Sequence, residues 1–414
     1  MKPVFAEIIT IGDEILYGQI VDTNSAWMGE ELGKIGVRVK QISSIADDAA
    51  DIVEALNEAQ TRADIILMTG GLGPTRDDIT KKTLTDYFQT ELKLDEQALS
   101  DITTMFSSRG REMSEANRLQ AFLPALCTPI RNVIGTAPGM WFNHNGKIIV
   151  SMPGVPYEMK RMMTDSVIPK IQTSFELPVI IHKVIQTIGI GESFLAEQLT
   201  EWEDALPENM KLAYLPHLAG VRLRLTGLGT DADELEDQLL HELTTISNLI
   251  GKFIFAYGEV SLEETIGMLL NARSMTIATA ESCTGGHVAH KLTSIPGSSL
   301  YYMGSIIAYD NHVKIKQLHV KPETIDQHGA VSEAVVREMA ENVRKIMGTD
   351  VGVATSGIAG PGGGSDEKPV GTLCIAYADA TKTISKKLYF NKDRELNIEF
   401  TAMTVLNLVR QSLP

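Results

Sequence analysis

Short β-branched apolar runs that stop at glycine-marked turns, each followed by an amphipathic stretch, recur along this chain. Apolar runs at 6–11, 37–42 and 65–68 alternate with helical spacing at 24–35 and 47–60. Strands that alternate with helices of this length predict a mainly parallel sheet covered on both faces, an α/β fold. A glycine- and proline-marked section from Ile134 to Pro156 supplies a further strand at 147–151 and leads into a helix near 157–171.

A chain of 414 residues exceeds what one core organises, so two or three domains are expected. Around Pro178 the order changes to strand 179–187, helix 192–205, strands 212–215 and 221–226, helix 233–249 and strand 252–256, a small α+β module. A third region opens with a helix at 263–270. Strands follow at 276–280, 300–309, 351–355, 372–378 and 383–390, and a helix at 396–411 closes it. The boundaries implied are 1–174, 175–257 and 258–414.

The net charge of −16 opposes a polyanionic partner, because nucleic-acid binders gather Lys and Arg against phosphates. No apolar run approaches the roughly 18 residues of a membrane span. Glu7, Asp13 and Glu14 interrupt the apolar N-terminus, which reads as a buried strand rather than a signal peptide. Cys127, Cys283 and Cys374 have no metal-ligand spacing, and so sparse a set predicts reduced thiols and a cytoplasmic setting.

Two glycine-rich segments carry chemistry. The first, Thr69-Gly70-Gly71-Leu72-Gly73-Pro74-Thr75-Arg76-Asp77-Asp78-Ile79-Thr80, follows an apolar strand and enters a helix. Glycines admit a phosphate close to the backbone, and exposed amides at a helix start favour negative charge. Asp77 and Asp78 suit a hard divalent cation on phosphate oxygens. A tight strand–helix turn with an acidic cap fits the same residues. Asp13 and Glu14 follow the first strand, and Asp22 and Asn24 precede a helix, where ligands bind in open α/β sheets and where helix caps also occur. Met152-Pro153-Gly154-Val155-Pro156 is a rigid turn, which fits a wall of the same site and equally a purely structural turn.

The second segment, Thr276-Ile277-Ala278-Thr279-Ala280-Glu281-Ser282-Cys283-Thr284-Gly285-Gly286, is a strand running into a polar turn, with a helix beginning near Gly285. Ser282 there is poised over helix amides able to stabilise an oxyanion, though a capped helix after a buried strand reads the same way. A serine nucleophile needs a base. His287 falls a helical turn from Cys283, which leaves a Cys–His pair open. Tyr309-Asp310-Asn311-His312-Val313-Lys314 offers another base. Asn311 reads as an N-cap that puts Lys314 in a first turn, where the helix dipole and burial would lower its pKa. A solvated surface lysine is the alternative. Thr355-Ser356-Gly357-Ile358-Ala359-Gly360-Pro361-Gly362-Gly363-Gly364-Ser365 offers amide donors to an oxyanion or phosphate, with a flexible hairpin connection as the alternative. Arg394 could hold a phosphate or sit in solvent.

The TGGLGPTRDDIT, GDEIL and DTN elements resemble the molybdopterin-binding fold. With MPGVPYEM they resemble the N-terminal domain of the CinA family (competence/damage-inducible protein A), and the resemblance extends over essentially the whole chain. It implies a metal-dependent pyrophosphatase acting on ADP-ribose. Gly70, Gly71, Gly73, Asp13, Glu14, Asp22 and Asn24 would bind substrate, and Asp77 and Asp78 would hold Mg, Mn or Co. Binding of a molybdopterin-like nucleotide is the alternative at this site. The middle module resembles a KH module, but Gly189-Ile190-Gly191-Glu192 lacks the GXXG spacing and places an acid beside it, so no nucleic acid is expected there.

AESCTGG, YDNHVK and TSGIAGPGGGSDEKPVG are similar, in order and spacing, to the C-terminal CinA domain, a nicotinamide-nucleotide amidase. The resemblance implies Ser282 as nucleophile, Lys314 as base and Tyr309 as a neighbour that relays or orients the proton, with no cofactor. Thr284, Gly285, Gly286, Asn311, Gly357, Ala359, Gly360 and Arg394 would contact nicotinamide mononucleotide. Asp310 replaces the serine of the family's YSN element, a departure expected to leave activity intact. A homodimer follows from the family. A non-enzymatic competence or DNA-repair factor is the competing reading, opposed by the acidic balance and the intact motifs.

Overall fold

Alternate residues of each N-terminal strand face opposite cores. Ile8, Ile65 and Leu67 pack with Met28, Leu32 and Met159 on one side of the first sheet. Their neighbours Ile9, Ile66 and Met68 pack with Ile52, Leu56 and Leu84 on the other. A sheet buried on both faces reads as continuous apolar runs, which is why these strands show no polar alternation. Glu7, an acid within the first strand, is 1% exposed and is met by Arg62 Nη2 at 2.9 Å and Nε at 3.0 Å.

The computed structural model describes residues 3–75, 78–390 and 392–413. Two compact units emerge, Met1–Ile181 with Leu228–Leu235, and His182–Gly227 with Glu236–Pro414. The first sheet runs in the order Arg38–Ile45, Phe5–Ile11, Ile65–Thr69, Lys147–Met152, Gly139–His144, Thr128–Ile130. Its first four strands are parallel; the last two join antiparallel, so the sheet is mixed. The reversal comes from Asn145 and Gly146, at φ 49° and 73°, a pair suited to a tight hairpin. The helix expected near 157–171 runs from Pro156 to Ser174, with a π turn at Met163–Val167. Pro169, lacking an N–H, accounts for the loosened ladder there.

The middle module is a four-stranded sheet in the order Met210–His217, Gly220–Gly229, Val179–Thr187, Ile254–Tyr257, with helices Glu192–Asp204 and Ala232–Ile250. The C-terminal sheet has the order Tyr302–Ile307, Ile277–Glu281, Val351–Gly357, Thr372–Ala378, Thr383–Tyr389. Its first three strands are parallel and the last two antiparallel. Ile277, Val353 and Tyr377 face the helices Leu262–Ala272 and Arg394–Ser412. Ala278, Ala280, Ala354 and Ala376 face Glu333–Met347, where small side chains let that helix approach closely. Because the first three strands are parallel, their carboxyl ends deliver Ser282, Ala308 and Ile358 to the same edge of the sheet, where ligands of open α/β sheets bind. Among the described residues, no helix is long and apolar enough to cross a membrane.

Candidate active site

Ser282 is the first residue beyond the strand Ile277–Glu281 and stays in register with the sheet, its N–H donating to Thr355 O at 3.0 Å. Lys314 lies on the helix Asn311–Leu318 and is 1% exposed. Its Nζ lies 3.0 Å from Ser282 Oγ, 2.8 Å from Ala308 O and 3.0 Å from Tyr309 O. A neutral amine has two N–H bonds and one lone pair. With both N–H bonds given to the carbonyls, the lone pair faces the serine hydroxyl. Burial holds the Lys314 pKa below the ordinary lysine value, against weaker raising contributions from Cys283 and Asp310.

The cap of that helix is Asp310, whose carboxylate accepts from His312 N at 2.8 Å; Asn311, expected as the cap, is the first helical residue and is exposed. The shift changes little, since Lys314 still falls in the opening turn. Tyr309 is 61% exposed, and its hydroxyl accepts from Arg394 Nη2 at 3.1 Å. Its contribution to Lys314 is therefore a main-chain carbonyl, and its phenol belongs to the Arg394 side of the site.

The turn after Ser282 differs from the simple helix start that the sequence suggests. Gly285 and Gly286 take φ of 59° and 102°, and the helix begins at His287. The amides of Gly286, Val288 and Ala289 donate to the fully buried Glu281 carboxylate at 2.9, 3.1 and 2.8 Å. Thr284 Oγ1 joins them at 2.7 Å and also meets Thr355 Oγ1 at 2.7 Å. Helix amides expected to receive an oxyanion are thus already engaged. Among the described residues, the amides of Cys283 and Thr284, which directly follow the nucleophile, donate to no main-chain carbonyl.

The Cys–His alternative is not assembled. Cys283 is 5% exposed, and burial pushes its thiol up to about 12, so it stays protonated at neutral pH. His287 turns away to Glu399, Nε2 to Oε2 2.5 Å, where Lys291 also binds at 2.7 Å. On the facing loop, a side chain at Gly357 would meet Leu373 and Cys283. Ala359 O accepts from Asn397 Nδ2 at 2.9 Å, and Gly360 O accepts from Arg394 Nη1 at 2.7 Å. The helix Arg394–Ser412 therefore anchors the glycine-rich loop and presents a guanidinium beside Tyr309.

The N-terminal segments also converge. Asn24 Nδ2 donates to Gly154 O at 2.8 Å, Thr69 Oγ1 donates to Pro153 O at 2.9 Å, and Gly70 N donates to Met152 O at 3.0 Å. Asp22 caps the helix Thr23–Lys34 through Ser25 N at 2.9 Å and accepts from Thr10 Oγ1 at 2.7 Å. Gly70 and Gly71 take φ of 118° and 63°, which lets the loop turn sharply at the strand end. Asp78 accepts from Gly73 N at 2.6 Å, from Thr75 N at 2.8 Å and from the Thr75 hydroxyl.

These bonds bear on a metal. Asp78 spends both oxygens on its own loop, which leaves it a poor ligand as placed, and the Gly73 amide is engaged with it. Asp13, Glu14 and Asp47 lie near one another: Asp13 N donates to Asp47 Oδ2 at 3.3 Å, and the neighbouring carboxylates add to burial in raising the Asp47 pKa. Among the described residues, no three His, Cys, Asp or Glu side chains form a set able to hold a metal ion. Asp77 lies outside the described residues. The groups described do not fit a preformed metal cage.

Three residues with evident work were not singled out by sequence. Glu281 ends an otherwise uncharged, wholly buried strand, and that position was the available signal. Asp47 sits beside Asp48, the cap of Ala49–Arg62, and its approach to Asp13 is visible only in three dimensions. Asn397 lies one turn past Arg394 and is fully buried.

Residues 259–413 match the family described as CinA C-terminal domain, residues 182–256 the Damage-inducible protein CinA KH domain, and residues 7–173 a "Probable molybdopterin binding domain". A CinA-like protein of Cytophaga hutchinsonii is 50% identical over 410 residues, covering 99% of this chain and 98% of that one. The chain belongs to the CinA family. A CinA-like protein of Flavobacterium psychrophilum is 42% identical, covering 99% of this chain and 98% of its own length. The crystal structure of CinA from Thermoplasma acidophilum is 34% identical and covers 41% of this chain and 98% of that one, with a TM-score of 0.38. This CinA-family chain thus combines a molybdopterin-binding-like domain, a KH-like module and a CinA domain.

Proposed function

We propose that the C-terminal domain hydrolyses the carboxamide of nicotinamide mononucleotide to nicotinate mononucleotide and ammonia through a Ser–Lys dyad. The observation that carries this reading is the buried Lys314 amine 3.0 Å from Ser282 Oγ, with its other two contacts on carbonyl oxygens. Ser282 Oγ attacks the carboxamide carbon while neutral Lys314 takes the hydroxyl proton. The Cys283 and Thr284 amides receive the developing oxyanion. Lys314 then returns the proton to the departing nitrogen, which leaves as ammonia. Water, deprotonated by the same amine, cleaves the acyl-enzyme and releases the carboxylate product and Ser282. Arg394 keeps N–H groups beyond its bonds to Gly360 and Tyr309 and receives the nucleotide phosphate.

At the N-terminal site the reading is an ADP-ribose pyrophosphatase, supported by the convergence of the Gly70–Gly71 turn, Asn24 and Gly154 and by the family resemblance. Its dependence on divalent metal rests on that resemblance alone. In this account the chain is a cytoplasmic homodimer that acts on small nucleotides and binds no nucleic acid.

The test separates ammonia from phosphate chemistry. Ser282→Ala is expected to abolish ammonia release from nicotinamide mononucleotide while leaving ADP-ribose cleavage to AMP and ribose 5-phosphate intact. Ammonia release by folded Ser282→Ala protein would remove the dyad. Failure of the parent protein to cleave ADP-ribose with any of Mg, Mn or Co, together with binding of a pterin nucleotide, would replace the N-terminal reading.

A further inference from the structure

Five donors converge on a carboxylate that forms no ion pair among the described residues. Glu281 Oε2 accepts from Gly286 N, Val288 N and Thr284 Oγ1, and Oε1 accepts from Ala289 N at 2.8 Å and Thr279 Oγ1 at 3.3 Å. The side chain is 0% exposed and folds back beneath the turn that carries Ser282. A buried charge is costly unless its oxygens are filled, so this arrangement constrains every group that fills them.

Glu281 also holds the base through its main chain. Its carbonyl accepts from Ala308 N at 2.7 Å, and Ala308 O in turn accepts from Lys314 Nζ at 2.8 Å. One residue thus ties down the nucleophile's turn with its side chain and the lysine's anchoring segment with its backbone. It touches neither Ser282 Oγ nor Lys314 Nζ. Filling the carboxylate with Gly286, Val288 and Ala289 amides also leaves the Cys283 and Thr284 amides as the donors beside Ser282.

Resting on the amidase reading, we propose that Glu281 is the positioning residue of the Ser282–Lys314 pair, and that its carboxylate sets the register of the turn so that the amides beside the nucleophile receive the oxyanion. Glutamine at this position keeps the volume but replaces one oxygen with an NH2 group. Because both oxygens accept main-chain amides, either orientation of the glutamine sets a donor against a donor. The turn must shift to relieve it.

The experiment is steady-state kinetics of Glu281→Gln in the full chain with nicotinamide mononucleotide as probe, on protein whose near-ultraviolet dichroism matches the parent. Loss of oxyanion-stage positioning is expected to lower kcat about 100-fold while KM stays within about threefold. A folded variant with kcat within about threefold of the parent, or one that raises KM with kcat unchanged, overturns the proposal. Should Glu281→Gln not fold, Thr284→Val removes one of the donors with little change of volume. A fall in kcat of about tenfold at constant KM then supports the proposal, and unchanged kcat overturns it. Ser282→Ala run in parallel separates the two claims. If it still releases ammonia, the amidase reading fails whatever Glu281 does; if it is silent and Glu281→Gln is active, only the role of Glu281 fails.

Discussion

Lys314→Met removes the amine and keeps an unbranched side chain of similar length, so it isolates the base. The lost groups are one bond to Ser282 Oγ and two to the carbonyls of Ala308 and Tyr309. Each neutral bond is worth about 1 kcal/mol, which puts the loss of stability from the three at roughly 3 kcal/mol. Part of that is recovered, because the folded state no longer has to keep a lysine neutral. The sign follows from the lowered pKa. At pH values below both the folded and the unfolded pKa, holding this lysine buried costs stability. The cost shrinks as pH rises from the folded pKa toward the ordinary value of 10.5. The variant is therefore expected to fold and to melt within several degrees of the parent at neutral pH.

Activity behaves differently. Losing a general base removes roughly 10²- to 10⁴-fold, about 3 to 5 kcal/mol of barrier at 1.36 kcal/mol per decade. The assay is single-turnover ammonia release between pH 6 and 10. Parent activity should fall as pH drops through the lowered Lys314 pKa, because only the neutral amine accepts the serine proton. The variant should be slow throughout, with its rate following hydroxide instead of levelling off. Folded Lys314→Met protein within tenfold of the parent would refute the argument that this amine is the base.

Other substitutions probe the surroundings. Cys283→Ala should leave ammonia release within about threefold, because a thiol pushed up to about 12 is no nucleophile at neutral pH; a loss of 100-fold would reopen the Cys–His reading. Arg394→Gln should raise KM for the mononucleotide about tenfold or more and leave KM for the phosphate-free nucleoside nearly unchanged, and equal effects on both would deny it the phosphate. Asp78→Asn replaces one accepting oxygen of the loop formed with Gly73 and Thr75, so it should weaken calorimetric binding of ADP-ribose at least tenfold without altering ammonia release.

The layered α/β architecture was legible because buried parallel strands write themselves as continuous apolar runs, as at Ile65–Thr69 and Phe5–Ile11. The hairpin that makes the first sheet mixed was also legible in principle, since Asn145-Gly146 is a strong turn signal, but it is enclosed by less regular sequence. Ser282 and Lys314 were legible as types in a pattern, and no spacing could show that Ala308 and Tyr309 present two carbonyls to the amine. Nor could it show that the helix amides after Ser282 are already held by Glu281, or that Asp78 is held by its own loop. Such engagement is a property of three-dimensional hydrogen-bond accounting. Local sequence names donors and acceptors without pairing them.

The central claim, that Ser282 carries an acyl group during turnover, is tested most directly by acid quench of the enzyme in excess nicotinamide mononucleotide, followed by intact and peptide mass measurement. A nicotinoyl-nucleotide adduct is expected on the peptide containing Ser282, absent in Ser282→Ala and formed with the first equivalent of ammonia. An adduct on Cys283, or continued turnover with ammonia release accelerated by divalent metal and abolished by chelation, would contradict it.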